Sequence, residues 1–291
     1  MIYSKTIMHL LKVYKFQNGC CFIGGKIMKL IIDTRHGIAG DIVNAGLIGL
    51  GADEKRMISS MEYAGNHIGI TKIKPDFDHG AAKLEIKIET DYDHLHESKI
   101  KEFLAKITDD LDVNKFYREI ATRTLNVLCE AERYVHNHDE RLCHMLYHHH
   151  HDHKKHNHKK TRYHGEYNTE AILHEAKDIL IDIVGLSIGL QELGISEIGY
   201  LDYINVGNGI IEFSHGKFEV PAPATKYILN KYRFNWKKSD TNEEMATPTG
   251  VSILAGCNAE RICSLEDYRI IKKSLARGTR NLPPISFYLV E

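Results

Sequence analysis

The sequence contains no uncharged apolar run of about 18 residues, the length a helix needs to cross a bilayer. Its longest apolar stretch, residues 179–193, is interrupted by Asp182 and Glu192 and has the pattern of a buried helix in a water-soluble protein. Cysteine is sparse. The six residues Cys20, Cys21, Cys129, Cys143, Cys257 and Cys263 include no C-x-x-C pair, which excludes a zinc ribbon or a thioredoxin-type motif. They read as ordinary reduced thiols, and a reducing, cytoplasmic compartment follows as the expectation. Neither sign of charge dominates: Lys and Arg number 38 against 39 Asp and Glu. Nothing global therefore points to nucleic acid, and neither nucleic acid nor a membrane is expected as a partner. No internal repeat is visible. Residues 1–27 lack helical or strand periodicity and also lack the apolar core and small-residue cleavage site of a signal peptide. They read as an extension without fold, with translation expected to begin at Met28.

Hydrophobic residues make up 43% of the 291-residue chain, enough for a sizeable core, and the length suits about two domains. Met28-Lys29-Leu30-Ile31-Ile32-Asp33 opens as a buried strand. A glycine turn and a helix to Leu50 follow, and Asp53 can cap a second helix to about Ala64. Leu84, Ile86 and Ile88 alternate with charged residues, the pattern of a half-buried strand, with residues 68–77 as its partner. Residues 97–134 turn helical. Residues 136–167 carry almost no apolar side chains and read as a disordered, histidine-rich insertion. Asn168 or Thr169 can then cap a helix running to about Leu193. Short strands follow at 197–206, 210–213, 217–220, 268–274 and 285–290, with helices entered at Pro221 to Thr225 and at Thr247 to Gly250, where Pro248 suits a first turn. The expected architecture is α+β, with mixed sheets and packed helices in a lobe over 28–135 and a second over 168–291.

Histidine is the residue in excess. There are 19, and nine of them fall between His144 and His164. His148, His149, His150, His151, His153, His156 and His158 form the densest run. Imidazole suits nickel, zinc and copper, and many imidazoles on one segment offer several labile ligand sets, which suits capture and transfer better than a fixed catalytic site. The alternative is a solvated low-complexity insertion. His174, Asp178 and Asp182 are spaced four and four, so a helix would place them on one face. Asp182 stands among Ile181, Ile183 and Val184, where a buried carboxylate needs a partner. Such a stripe could hold a divalent metal or orient a substrate, or it could be the polar edge of an amphipathic helix. Asp33, Gly37, Gly40 and Asp41 make a strand-turn-helix cluster whose backbone N–H groups could approach an anion, although its spacing matches neither a Walker A loop nor a dinucleotide fingerprint.

Together these segments resemble the LarC family, the nickel insertion proteins of the nickel-pincer nucleotide cofactor. Asp33-(x)3-Gly37-Ile38-Ala39-Gly40-Asp41 is similar to the family's N-terminal signature, with Arg35-His36 in place of its Phe-Ser pair. Asp178-Ile179-Leu180-Ile181-Asp182-Ile183-Val184-Gly185 is similar to its D-S-I-V-D-I-V-G helix. Asn205 to Gly209, His215-Gly216, Pro221 to Thr225, Glu244, Thr247 to Gly250 and Gly278-Thr279-Arg280 follow in family order. The resemblance covers residues 28–291. It implies insertion of Ni(II) into pyridinium-3,5-bisthiocarboxylic acid mononucleotide, with the metal bound to two sulfurs and a ring carbon and with CTP consumed. By the same resemblance Asp41, Asp178 and Asp182 are the candidate catalytic carboxylates. Asp33, Gly37, Gly40, His215, Thr225, Thr247, Thr249 and Gly250 are candidates to hold the nucleotide-type substrate, and His174 with the histidine run is a candidate for nickel delivery. Full-length members continue into a C-terminal domain associated with CTP binding, so CTP with Mg or Mn is expected there, on a domain that a separate chain could supply. A non-catalytic nickel carrier or storage protein is the competing expectation.

Overall fold

The computed structural model describes residues 27–90, 92, 94–138, 170–174, 177–213 and 216–291. The first strand, β1 (Met28–Ile32), is apolar from Leu30 onward and buried there on both faces, the pattern of a central strand. The main sheet also contains β2 (Ile70–Asp78), β3 (Ala81–Glu89), β6 (Ile195–Leu201), β11 (Glu260–Ile262), β12 (Ile270–Ala276) and β13 (Ile285–Val290). Its seven strands run in the order β11-β6-β1-β13-β12-β3-β2. β1 pairs parallel with β6 and antiparallel with β13, so one sheet takes strands from both sides of the histidine-rich stretch. β2 and β3 pair antiparallel along their full length, as the alternation at 84–88 predicts. The fold is α+β with a mixed sheet.

Seven helices are present among the described residues: α1 (Gly40–Gly49), α2 (Glu54–Gly65), α3 (Glu97–Asp110), α4 (Lys115–His138), α5 (Ile179–Leu193), α6 (Pro223–Lys231) and α7 (Pro248–Gly256). Asp53 caps α2 as expected, accepting from the Arg56 N–H at 2.9 Å. α1 lies on β3, β12 and β13, while α2 lies on β2. Behind them runs α5, buried without interruption from Ile179 to Leu190, as a helix apolar on all sides must be. It packs against α1, α2 and α4, and α4 in turn supports α6 and α7. Glycines set the spacing. A Cβ on Gly185 or Gly189 of α5 would stand 2.7 Å from Asn44 or Leu47 of α1, and a Cβ on Gly46 would stand 2.7 Å from the Phe287 ring of β13. α1 is therefore clamped between the sheet and α5.

The structure corrects three expectations. The helix expected from residue 169 begins only at Ile179, with Asp178 in its N-cap position. His174 instead ends a short strand, β5 (Ile172–His174), which pairs with β4 (His94–His96) so that His94 faces His174 in register. The helical stripe His174, Asp178, Asp182 does not form. α4 continues through His138 because Val135 and His136 are buried at its end, so the polar stretch begins later than residue 136. The strand expected over 197–206 is two, β6 and β7 (Ile204–Gly207), separated where Asp202 takes a φ of +53°. The expected extension before residue 27 and the histidine run lie outside the described residues.

Replacing an exposed helical glycine by alanine usually gains about 1 kcal/mol. Gly46→Ala is expected to lose about 1–3 kcal/mol instead, because the added methyl overpacks against Phe287. Urea unfolding of the two proteins measures the sign.

Candidate functional site

Beyond β1 the chain passes Asp33, a 3-10 turn over Thr34–His36, and Gly37 at a φ of +95°. A Cβ on Gly37 would stand 2.1 Å from the Met245 carbonyl oxygen, so only glycine lets these two backbones touch. The Ile38 N–H donates to that carbonyl at 2.8 Å, and the Thr247 N–H donates back to the Ile38 carbonyl at 3.0 Å. This crossing ties the entry of α1 to the entry of α7. Thr247 caps α7, its hydroxyl accepting from the Gly250 N–H at 3.1 Å, and Gly250 backs directly onto Ile38. On the other side, a Cβ on Gly40 would lie 2.1 Å from Oδ2 of Asp182. Asn44 Nδ2 donates to the Asp182 carbonyl at 3.2 Å. Three helix starts, those of α1, α5 and α7, thus meet around one point.

Carboxylates collect there. Asp182 is buried, and its Oδ1 has no hydrogen-bond partner among the described residues. Burial, reinforced by the charges of Asp178 and Asp41, raises its pKa well above the usual carboxylate range. Asp41, in the first turn of α1, is also raised by burial, against backbone N–H groups and the charge of Arg280 that pull it down. The connection from β12 to β13 passes over this group: a Cβ on Gly278 would lie 3.5 Å from Asp41 Oδ2. Two residues on, Arg280 Nη1 donates to the Glu244 carbonyl at 2.8 Å. The Glu244 carboxyl is only 9% exposed, its Oε1 has no partner among the described residues, and burial pushes its pKa up to about 7 against the opposing charge of Arg280. One guanidinium therefore faces a surplus of desolvated carboxyl groups, an arrangement that a divalent cation would relieve. Among the described residues no three His, Cys, Asp or Glu side chains are arranged to hold a metal ion by themselves.

The other candidates are placed as follows. Asp33 is engaged: Arg35 Nε and Nη2 each donate to its two oxygens at 2.8 Å. Burial raises its pKa, but the hydrogen bonds and charge of Arg35 outweigh that and hold it below the ordinary range. Thr249 lies half-buried in the first turn of α7. Thr225 is fully buried inside α6, its hydroxyl without a partner among the described residues, and none of the contacts that gather the carboxylates includes it. His215, with His148, His149, His150, His151, His153, His156 and His158, lies outside the described residues. Glu244 and Arg280 stood in the motif series without a role, because only the tertiary crossing at Ile38 and Met245 brings them to Asp41. Burial pushes the Cys129 and Cys257 thiols up to about 12. No helix among the described residues is long and apolar enough to cross a membrane.

A family model described as nickel insertion protein matches residues 30–149 and 157–289. The chain belongs to the nickel insertion protein family. Among its relatives is a pyridinium-3,5-bisthiocarboxylic acid mononucleotide nickel insertion protein of Thermotoga sp. (strain RQ2), 28% identical over 243 residues that cover 77% of this chain and 52% of the relative. Proteins of the same name from Alkaliphilus metalliredigens and Akkermansia muciniphila are 25% and 26% identical, covering 90% and 78% of this chain and 60% and 50% of the relatives. The chain thus spans about half the length of the curated relatives it matches. No solved structure matches it. The segments that carry the family resemblance include those that cross at Ile38, Asp182 and Glu244.

The raised carboxyls give a signed prediction. A group whose folded pKa lies above its unfolded value contributes stability that is full below the unfolded pKa, about 4 for a carboxylate. That stability is lost as the pH rises through the folded value, which for Glu244 is about 7. Asp182→Asn removes one such group. It is expected to be more stable than the parent at pH 8 by about 1 kcal/mol, as when strain at a functional site is relieved. The gain should shrink toward pH 4. Thermal unfolding across that range tests it, and equal midpoints at pH 8 would mean that the charge is already compensated.

Proposed function

We propose that this chain inserts Ni(II) into pyridinium-3,5-bisthiocarboxylic acid mononucleotide, in a CTP-dependent reaction for which the CTP-binding domain is supplied in addition to the residues described. The observation that carries this reading is the meeting of Asp41, Asp178 and Asp182 in one electrostatic field at the starts of α1 and α5. Asp182 and Asp41 are desolvated and Asp178 is exposed beside Asp182, and like charges so placed attract a dication and are relieved by it. Among the described residues no three His, Cys, Asp or Glu side chains are arranged to hold a metal ion by themselves, so in this reading the substrate's sulfurs supply the larger share of the metal's surroundings. That is the requirement for handing a metal over rather than keeping it.

The remaining roles follow from charge. The substrate is anionic, and Arg280, about half exposed beside Asp41 and Glu244, is the cation available to a thiocarboxylate or phosphate. The entry of α7, with Thr247, Thr249 and Gly250, adds the positive end of a helix at the same place. The histidine run, with His174, acts as a feeder that raises the local nickel concentration.

The deciding assay offers the chain nickel, the sulfur-bearing nucleotide and Mg-CTP, with and without a separately supplied C-terminal domain from a relative. A mass gain of one nickel less the displaced protons is the expected product. Nickel bound without product in either case would leave the carrier reading in its place. Asp178→Asn and Asp182→Asn are expected to weaken nickel binding by about tenfold or more, read by equilibrium dialysis. Deleting residues 147–160 should lower nickel stoichiometry without abolishing insertion at saturating nickel. Unchanged stoichiometry would remove the histidine run from the reaction.

A further inference from the structure

Glu244 differs from the other site carboxyls in the company it keeps. Asp182 lies in the field of the like charges Asp178 and Asp41, whereas the charge that acts on Glu244 is the Arg280 guanidinium, 4.0 Å from its Oε2. Its backbone is fixed from two directions. It makes an isolated antiparallel bridge to Gly207, and its carbonyl accepts from Arg280 Nη1 at 2.8 Å. Met245 beside it accepts from Ile38, so Glu244 sits one residue from the crossing that leads into Gly40 and Asp41. Arg280 acts on Asp41 as well, so the same guanidinium links Glu244 to Asp41. Oε1 is left buried and without a hydrogen-bond partner among the described residues. The other charged groups that face this position are Glu243, 3.8 Å from Arg280, and Asp41 beyond the guanidinium.

A carboxylate bound to a dication has its electron pair engaged, while one beside an arginine and away from the metal keeps it. We propose that Glu244 accepts the proton that nickel displaces from the pyridinium ring, with Arg280 as the positioning residue that holds the glutamate and the anionic substrate together. The assignment rests on the nickel insertion reading. In the step, the ring C–H bond breaks and its electron pair forms the carbon–nickel bond. Two thiocarboxylate sulfurs each donate a pair to the same ion, and the proton passes to the Glu244 carboxylate and then to solvent. Nickel remains Ni(II), so no oxidant or reductant enters. Desolvation raises the carboxyl to about 7, where a group that must both take and release a proton near neutrality is most useful.

The test is single-turnover insertion with the full chain, the nucleotide, nickel, Mg-CTP and the added C-terminal domain. Glu244→Gln is expected to slow product formation by about 100-fold or more, while equilibrium binding of nickel and of nucleotide stays within about twofold. The parent rate should rise with pH and level off above about 7. Glu244→Gln should lose that inflection, and Glu244→Asp should regain it with part of the rate. Insertion by Glu244→Gln at the parent rate with the same pH profile would overturn the assignment while leaving the insertion reading intact. So would a loss of nickel binding parallel to that of Asp182→Asn, since it would make Glu244 a ligand. No product from the parent protein would remove both.

Discussion

The site depends on a side chain that is missing. Gly40 has no Cβ, and the carboxylate of Asp182 occupies the space where one would be. That contact sets how closely the starts of α1 and α5 approach, and the approach removes Asp182 from water and puts it in the field of Asp41 and Asp178. Each consequence is unfavourable for folding taken alone. The uninterrupted apolar burial along the rest of α5 offsets it, as does the fit of Gly185 and Gly189 against Asn44 and Leu47. The same helix therefore supplies the stability of the core and the strain of the site.

Two treatments of acidic groups stand side by side. Asp33 is neutralised in place by a bidentate arginine two residues away. Asp41, Asp182 and Glu244 are kept desolvated, with a single guanidinium acting on Asp41 and Glu244 and none on Asp182. The first arrangement fixes a turn. The second leaves unmet electrostatic demand, the physical mark of a place where something else binds.

Local signals in the sequence were legible wherever local physics decides the outcome. The period-two pattern at Leu84, Ile86 and Ile88 located the β2–β3 pair, Asp53 located the start of α2, and the apolar run from Ile179 located the central helix. The same logic failed at His174. Spacing of four and four is compatible with a helix, but pairing of residues 172–174 with 94–96 took the segment into a strand, and that pairing is invisible to a local reading. Asp182 was identifiable because a carboxylate inside an apolar run is anomalous on its face. Glu244 and Arg280 carried no such mark. Glu244 lies in a polar stretch and Arg280 in a loop, and they become a unit only through the backbone crossing between Ile38 and Met245.

The position of β1 has a consequence for how the molecule comes into being. β1 lies at residues 28–32, yet its two neighbours in the sheet are β6, at 195–201, and β13, at 285–290. Closing these pairings spans most of the chain, the topology of a slow folder. During synthesis the first strand emerges long before either neighbour, and α1 must wait for β12 and β13, two of the three strands it packs on. The Gly278–Arg280 connection that brings cation to carboxylates lies just before β13. The site and the last sheet pairing are therefore completed together, and a nascent chain lacks the guanidinium that acts on Asp41 and Glu244 until its fold is nearly closed.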